Sequence, residues 1–146
     1  MRLPVAFAVL AIAVAAHAAT PAQEKAFLDA YRKAYETRDE KTLASLLYTK
    51  GADPAAVAFY KMMMTAEAGA KIASIDLVDI TAEDSKRIES MQSPDGKPAR
   101  LVLPPTKKMV IKSQTKTADM SASGSSEIFV GEADGKLYIL VPAAAR

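Results

Sequence analysis

Apolar residues recur at three- and four-residue spacing through the first half of the chain and alternate with polar ones through the second, a switch from helical to strand period. Thr20-Pro21-Ala22-Gln23 predicts a helix start: Thr20 caps, Pro21 suits the first turn and Gln23 completes a capping box. Phe27, Ala30, Tyr31, Ala34 and Tyr35 then form one apolar face, and Asp29, Arg32, Lys33 and Glu36 lie mostly on the other. Thr37-Arg38-Asp39-Glu40 reads as a second capping box, opening a short helix with Leu43, Leu46 and Leu47 that ends by Gly51. Asp53-Pro54 opens a third helix, with Val57, Tyr60 and Met64 as its inner stripe, Phe59, Met62 and Met63 alongside and Gly69 as terminator.

From Lys71 the alternation is that of strands. Ala73, Ile75 and Leu77 alternate with polar residues, and Val78 and Ile80 continue in the opposite phase, so a β-bulge is expected at Leu77-Val78. Residues 81–91 are a helical turn or a wandering connection, and the pattern leaves open whether 82–98 is helical. Ser93-Pro94-Asp95-Gly96 is a turn. Ala99 to Leu103 is a short strand stopped by Pro104-Pro105, Lys108 to Thr117 a longer one, and Ser121 to Ser126 a Ser/Gly loop. Glu127 to Val130 and Lys136 to Val141 form a hairpin around Ala133-Asp134-Gly135. Helices followed by a run of strands predict an α+β fold: three N-terminal helices on one face of an antiparallel sheet of four to five strands.

The start of the chain is patterned differently. Arg2 precedes an unbroken run of twelve apolar residues, Val5 to Ala16, and Ala16-His17-Ala18 has the small-x-small form that signal peptidase reads. Such a run is short of the ~20 residues needed to cross a bilayer, so no membrane span is expected. Residues 1–18 are read as a cleaved leader, 19–146 as a single domain, and the protein as bacterial and periplasmic or secreted. Composition narrows the chemistry. Cys is absent and the one histidine, His17, lies in the leader, so the mature chain is barred from His- and Cys-based catalysis and from thiolate- or imidazole-held metals. No metal site and no cofactor are expected. With 19 Lys+Arg against 17 Asp+Glu, nucleic acid is not an expected partner.

Ala26-Phe27-Leu28-Asp29-Ala30-Tyr31, Asp39-Glu40, Leu43-Ala44-Ser45-Leu46-Leu47 and the closing Gly131-Glu132-Ala133-Asp134-Gly135-Lys136-Leu137-Tyr138-Ile139 resemble the opening helices and final hairpin of nuclear-transport-factor-2-like (SnoaL-like) domains. The resemblance covers about residues 23–141. It implies a cone in which a curved sheet wraps a long helix, frequently around a pocket, with the outer sheet face forming a dimer. Enzymes of that superfamily use Asp or His as base and Tyr or Asp as oxyanion donor; no such motif aligns here, so no catalytic residue is carried over.

Candidate chemistry rests on a few side chains. Met62-Met63-Met64 covers ~300° of a helix, so one at least is exposed or lines a cavity or an interface. Tyr31 and Tyr35 from the first helix, Tyr60 and Met63 from the third, and Ser113 and Thr115 from the long strand would converge if the sheet curves. They make either an apolar cleft with a few hydroxyls or a filled core. Asp76 and Asp79 are the weak candidates for a general base, which requires a carboxylate inside an apolar site. Lys108, Lys112 and Lys116 share one face of a strand and read as solvated edge protection. Leu137 to Val141 is apolar throughout. The helices cover one face of that strand, so Tyr138 and Leu140 on the other are expected to be exposed and to form a homodimer through the convex sheet face. The leading expectation is a non-catalytic exported domain binding a small apolar molecule or a protein partner. The alternatives are an isomerase- or lyase-type enzyme using Asp76 or Asp79 with a Tyr hydroxyl, and a structural assembly module acting through its sheet.

Overall fold

The computed structural model describes residues 18–116 and 118–145, so all of the expected leader except Ala18 lies outside the described residues. The chain is α+β. Its helices are α1 (Pro21–Thr37), α2 (Glu40–Ser45), α3 (Pro54–Glu67) and α4 (Ala82–Glu89). Its strands are β1 (Leu47–Tyr48), β2 (Lys71–Val78), β3 (Ala99–Leu101), β4 (Lys107–Lys116), β5 (Ser121–Ala133), β6 (Lys136–Leu140) and β7 (Pro142–Ala144). The main sheet is open, in the order β1-β6-β5-β4-β2, and β3 pairs with β7 as a second, two-stranded sheet.

Local chemistry explains most of the boundaries. Thr20 accepts from the Gln23 backbone at 3.2 Å while the Gln23 side chain accepts from the Thr20 N–H at 2.8 Å, closing the expected box at the start of α1. Arg38 ends α1 in the left-handed region at φ 56°, and its N–H returns to the carbonyls of Ala34 and Tyr35. The cap of α2 is Asp39 rather than Thr37: its carboxylate accepts from the Thr42 N–H at 3.0 Å. Asp53 caps α3 as expected, accepting from Ala55 at 2.8 Å.

Several expectations need correction. The sheet is mixed, because Leu47-Tyr48 leaves the second helix and pairs in parallel with Ile139-Leu140. The fourth helix, α4, carries little apolar surface of its own. It is held by a capping box between Thr81 and Asp84, and no apolar stripe announces it. The register shift in β2 falls between Ile72 and Ser74, not at Leu77-Val78, which pair regularly with Met109 and Lys108. That shift puts Ile72 and Ile75, three apart in sequence, in the same core. Ser121 to Ser126 is strand: it pairs residue by residue with Lys116 to Ile111. Its small side chains, mostly exposed, hid the alternation. β4 therefore runs between β2 and β5, so Lys108, Lys112 and Lys116 guard no edge.

The core lies between the helices and one face of the sheet. Phe27, Tyr31, Tyr35, Leu43 and Met64 meet Ile72, Ile75, Met109, Ile111, Val130 and Ile139. The methionine run divides as helix geometry requires, with Met64 at 6% exposure and Met62 and Met63 at 62% and 41%. By strand alternation Lys108, Glu127 and Phe129 lie on the opposite face, and α4 reaches that face. Lys108 Nζ is 3.0 Å from the Asp84 carboxylate, Arg87 pairs with Glu127 at 2.9 Å, and the Arg87 guanidinium lies 5.8 Å from the centre of the Phe129 ring. The face expected to dimerise is thus partly covered by the chain itself: Leu140 is only 2% exposed, and Tyr138 is half-buried with its ring 5.5 Å from that of Tyr48.

Candidate functional site

A cavity of about 410 Å³ opens beside β5. The geometry of the strands creates it. β5 pairs with β6 only over Val130 to Ala133, while Ser121 to Val130 pair with β4 on the other side. β6 then gives way to β7, which departs to join β3. From Ser126 to Phe129 the edge of β5 that faces away from β4 has no strand partner among the described residues, and both faces of the strand border the cavity. On the helical side stand Tyr31 and Tyr35 from α1, Tyr60, Met63, Met64 and Glu67 from α3, and Ile111 and Ser113 from β4. On the other side Arg87, Met91 and Leu101, brought by α4 and the chain after it, close the wall.

Five of the six residues singled out from the sequence, Tyr31, Tyr35, Tyr60, Met63 and Ser113, meet here. The sixth, Thr115, does not. It lines an adjoining groove of about 450 Å³ that shares Tyr35, Glu67, Ser113 and Ser126 with the cavity. Asp76 and Asp79 stand elsewhere. Both are exposed and neither borders the cavity; Asp79 is engaged by Lys107 at 2.7 Å, which holds its carboxyl below the usual range. Two carboxylates border the cavity: Glu127, which pairs with Arg87, and Glu67, which was not singled out from the sequence. Its signal was present in the spacing: Tyr60, Met63, Met64 and Glu67 are i, i+3, i+4 and i+7 on one helix. Arg87, Met91 and Leu101 had no such signal, because a tertiary excursion of the chain after β2 brings them to the site.

The tyrosines are stacked and largely buried. The rings of Tyr31 and Tyr35 lie 5.9 Å apart and nearly parallel. Burial pushes the Tyr31 hydroxyl well above its ordinary pKa, and the neighbouring Tyr35 and Glu67 add to the rise. Burial and then Glu67 also raise Tyr35, with Ser113 acting in the opposite sense, and burial alone raises Tyr60. All three hydroxyls therefore stay protonated at neutral pH, as neutral hydrogen-bonding groups in an otherwise apolar wall. Arg87 brings a positive charge, but Glu127 at 2.9 Å and Asp84 at 3.5 Å neutralise it. Asp84 is the anchor of that network: it accepts from the Thr81 backbone at 3.0 Å and from Lys108, bonds that hold its carboxyl at a pKa of about 2 although it is almost fully buried. Among the described residues there is no group of carboxylates arranged to hold a metal ion, and no helix long and apolar enough to cross a membrane.

Comparison of the chain with protein-family models, with curated proteins and with solved structures returned no match. Any functional reading therefore rests on the chain's own residues.

Proposed function

We propose that this chain is an exported, non-catalytic binding domain that takes a small apolar molecule into the cavity beside β5. The observation that carries the reading is the cavity itself. Its volume of about 410 Å³ lies within the ~300–1,000 Å³ usual for small-molecule sites. Its wall combines Met63, Met64, Met91, Leu101, Ile111, Ile128, Phe129 and Leu140 with three tyrosine hydroxyls and Ser113, apolar area with a few polar groups to fix orientation. Methionine adds adaptability, since its unbranched side chain repacks around ligands of different shape. The alternative of an isomerase- or lyase-type enzyme needs a carboxylate base in the site, and the exposure of Asp76 and Asp79 leaves it without the one it named. An assembly module acting through its sheet gives no reason for the cavity.

The cone arrangement of nuclear-transport-factor-2-like domains is the fold we infer beneath this site. Its support is the likeness of the opening helices and closing hairpin, together with the burial of α1 against the sheet. Export is inferred from the leader pattern ahead of Ala19.

The test is direct binding. Purified residues 19–146 should retain members of an apolar panel (long-chain alcohols, fatty acids, polycyclic aromatics) in equilibrium dialysis, and a bulky substitution facing the cavity, Ser113→Trp, should abolish retention without unfolding the domain. Failure of every compound to bind at concentrations up to its solubility would refute the reading.

A further inference from the structure

The cavity is electrically lopsided. Arg87 is compensated twice over, by Glu127 and by Asp84. Glu67 has no ion-pair partner among the described residues, although it stands near enough to Tyr31 and Tyr35 for its charge to act on both hydroxyls. Its position in the fold makes the local field more negative still. Glu67 is the last residue of α3, and the last turn of that helix carries no basic residue. A helix C-terminus presents unsatisfied carbonyls and the negative end of the macrodipole, so an anion there is at the unfavourable end and a cation at the favourable one. Glu67 also belongs to both the cavity and the adjoining groove, as do Tyr35, Ser113 and Ser126, so these four residues mark the passage between the two spaces. Glu67 is exposed, and a charge at such a mouth keeps part of its hydration while an apolar body lies deeper.

We infer that the cavity selects a cationic amphiphile: an apolar tail or ring system seated against Met64, Ile111, Ile128 and Leu140, with an amine or quaternary ammonium head at Glu67. This rests on the binding reading above and adds the sign of the ligand's charge to it. The same geometry disfavours fatty acids and sulfated lipids, whose heads would meet Glu67 and the carbonyl end of α3.

Three amphiphiles with one tail and different heads separate the two claims. Calorimetric titration of residues 19–146 with dodecyltrimethylammonium, dodecanol and dodecyl sulfate, each below its aggregation concentration, should rank them in that order. The cation should bind about fivefold more tightly than the alcohol at low ionic strength, the size expected of one ion pair at a part-solvated mouth. The advantage should shrink in ~1 M salt, where the Debye length is ~3 Å. Glu67→Gln should erase the preference, bringing the cation's affinity down about fivefold to that of dodecanol. Because it removes an anion from a helix C-terminus, the folded state should not suffer. Binding of all three with equal affinity, or tightest binding of the sulfate, would overturn the inference and leave the binding reading standing. Binding of none would overturn both.

Discussion

Methionine-to-alanine substitutions at three positions measure how the cavity is set into the core. Met109 is fully buried on the sheet face that meets the helices and does not border the cavity, so its truncation removes a complete set of packing contacts. Buried Met→Ala changes cost about 2–5 kcal/mol, the transfer term plus the void left behind, and a site this enclosed belongs in the upper half of that range. Met64 is nearly as buried but already borders empty volume, so less new void is created and about 2 kcal/mol is expected. Met63 lines the same cavity from the helix surface at 41% exposure. Its truncation should fall within about 0.5 kcal/mol of zero, as for ordinary surface positions. Urea unfolding, with the slope checked for constancy, gives each value, and thermal melts should show the same order at roughly 3–5 °C per kcal/mol for a domain of this size. Binding should rank the variants differently: Met63→Ala should weaken retention of an apolar ligand, and Met109→Ala should leave it nearly intact wherever the variant is folded. If Met63→Ala destabilised the protein as much as Met109→Ala, α3 would be packed through the face assigned here to the cavity, and the site would be a filled core.

Two further outcomes follow from the geometry. Asp84 and Asp95 both have folded-state pKa values of about 2, Asp84 through its bonds from Thr81 and Lys108 and Asp95 through those from Ser93 and Lys97. Both values lie below the ordinary carboxylate range, so the stability these groups contribute is complete above about pH 4 and is lost as pH falls toward 2. Asp84→Asn should remove a resolvable part of the acid-dependent loss in pH-dependent urea melts, and an unchanged profile would count against the network. At Gly131 an added Cβ would lie 3.0 and 3.1 Å from the Leu140 methyl carbons and 3.2 Å from the Pro104 carbonyl. Gly131→Ala should therefore lower the melting temperature, whereas Gly135→Ser, with open space around it but φ at 73°, should cost only the backbone strain of a left-handed residue, about 1 kcal/mol.

The sequence made some parts of this architecture legible because local chemistry decided them. The cap at Thr20, the cap at Asp53, the turn at Asp134-Gly135 and the split of the methionine run are each fixed by residues a few positions apart. The convergence of Tyr31, Tyr35, Tyr60, Met63 and Ser113 was legible for a related reason: the three tyrosines lie on the apolar stripes of their helices, Met63 beside one of them and Ser113 on the inner face of β4, and these faces have one common destination. What stayed hidden was decided at long range. The strand at Ser121 to Ser126 owes its shape to pairing with β4, since serine, alanine and glycine carry little preference of their own. α4 has a polar sequence because it is held to the outer sheet face through Asp84 and Arg87, so it carries only Ala82 and Ile88 as apolar residues and no apolar stripe to mark it. The expectation of an exposed apolar face fails at Leu140, which is buried beside Gly131 although nothing in the local pattern announced it.

The start of the domain joins the leader reading to the structure. The Ala19 backbone nitrogen lies 2.8 Å from Glu132 Oε1, on the strand that leads into the closing hairpin. While residues precede Ala19, this contact is an amide N–H donated to a carboxylate. Cleavage after Ala18 would turn the same nitrogen into an ammonium and the contact into a charge-assisted hydrogen bond, roughly twice as strong as its neutral counterpart. The first helix begins two residues later under its own cap, so the new charge would be held in place by structure already formed. Processing should then stabilise the fold by about 0.5–1.5 kcal/mol, a gain confined to chains that retain Glu132. A double-mutant cycle decides this: Glu132→Gln is introduced into a chain that begins at Ala19 and into one with a short extension before it. Stability is then measured by urea unfolding at neutral pH in low salt. The substitution should cost more in the chain beginning at Ala19, and the difference should fade at high ionic strength. Equal costs in the two chains would mean that the free amine gains nothing from Glu132, and that the position of the cleavage site owes nothing to this contact.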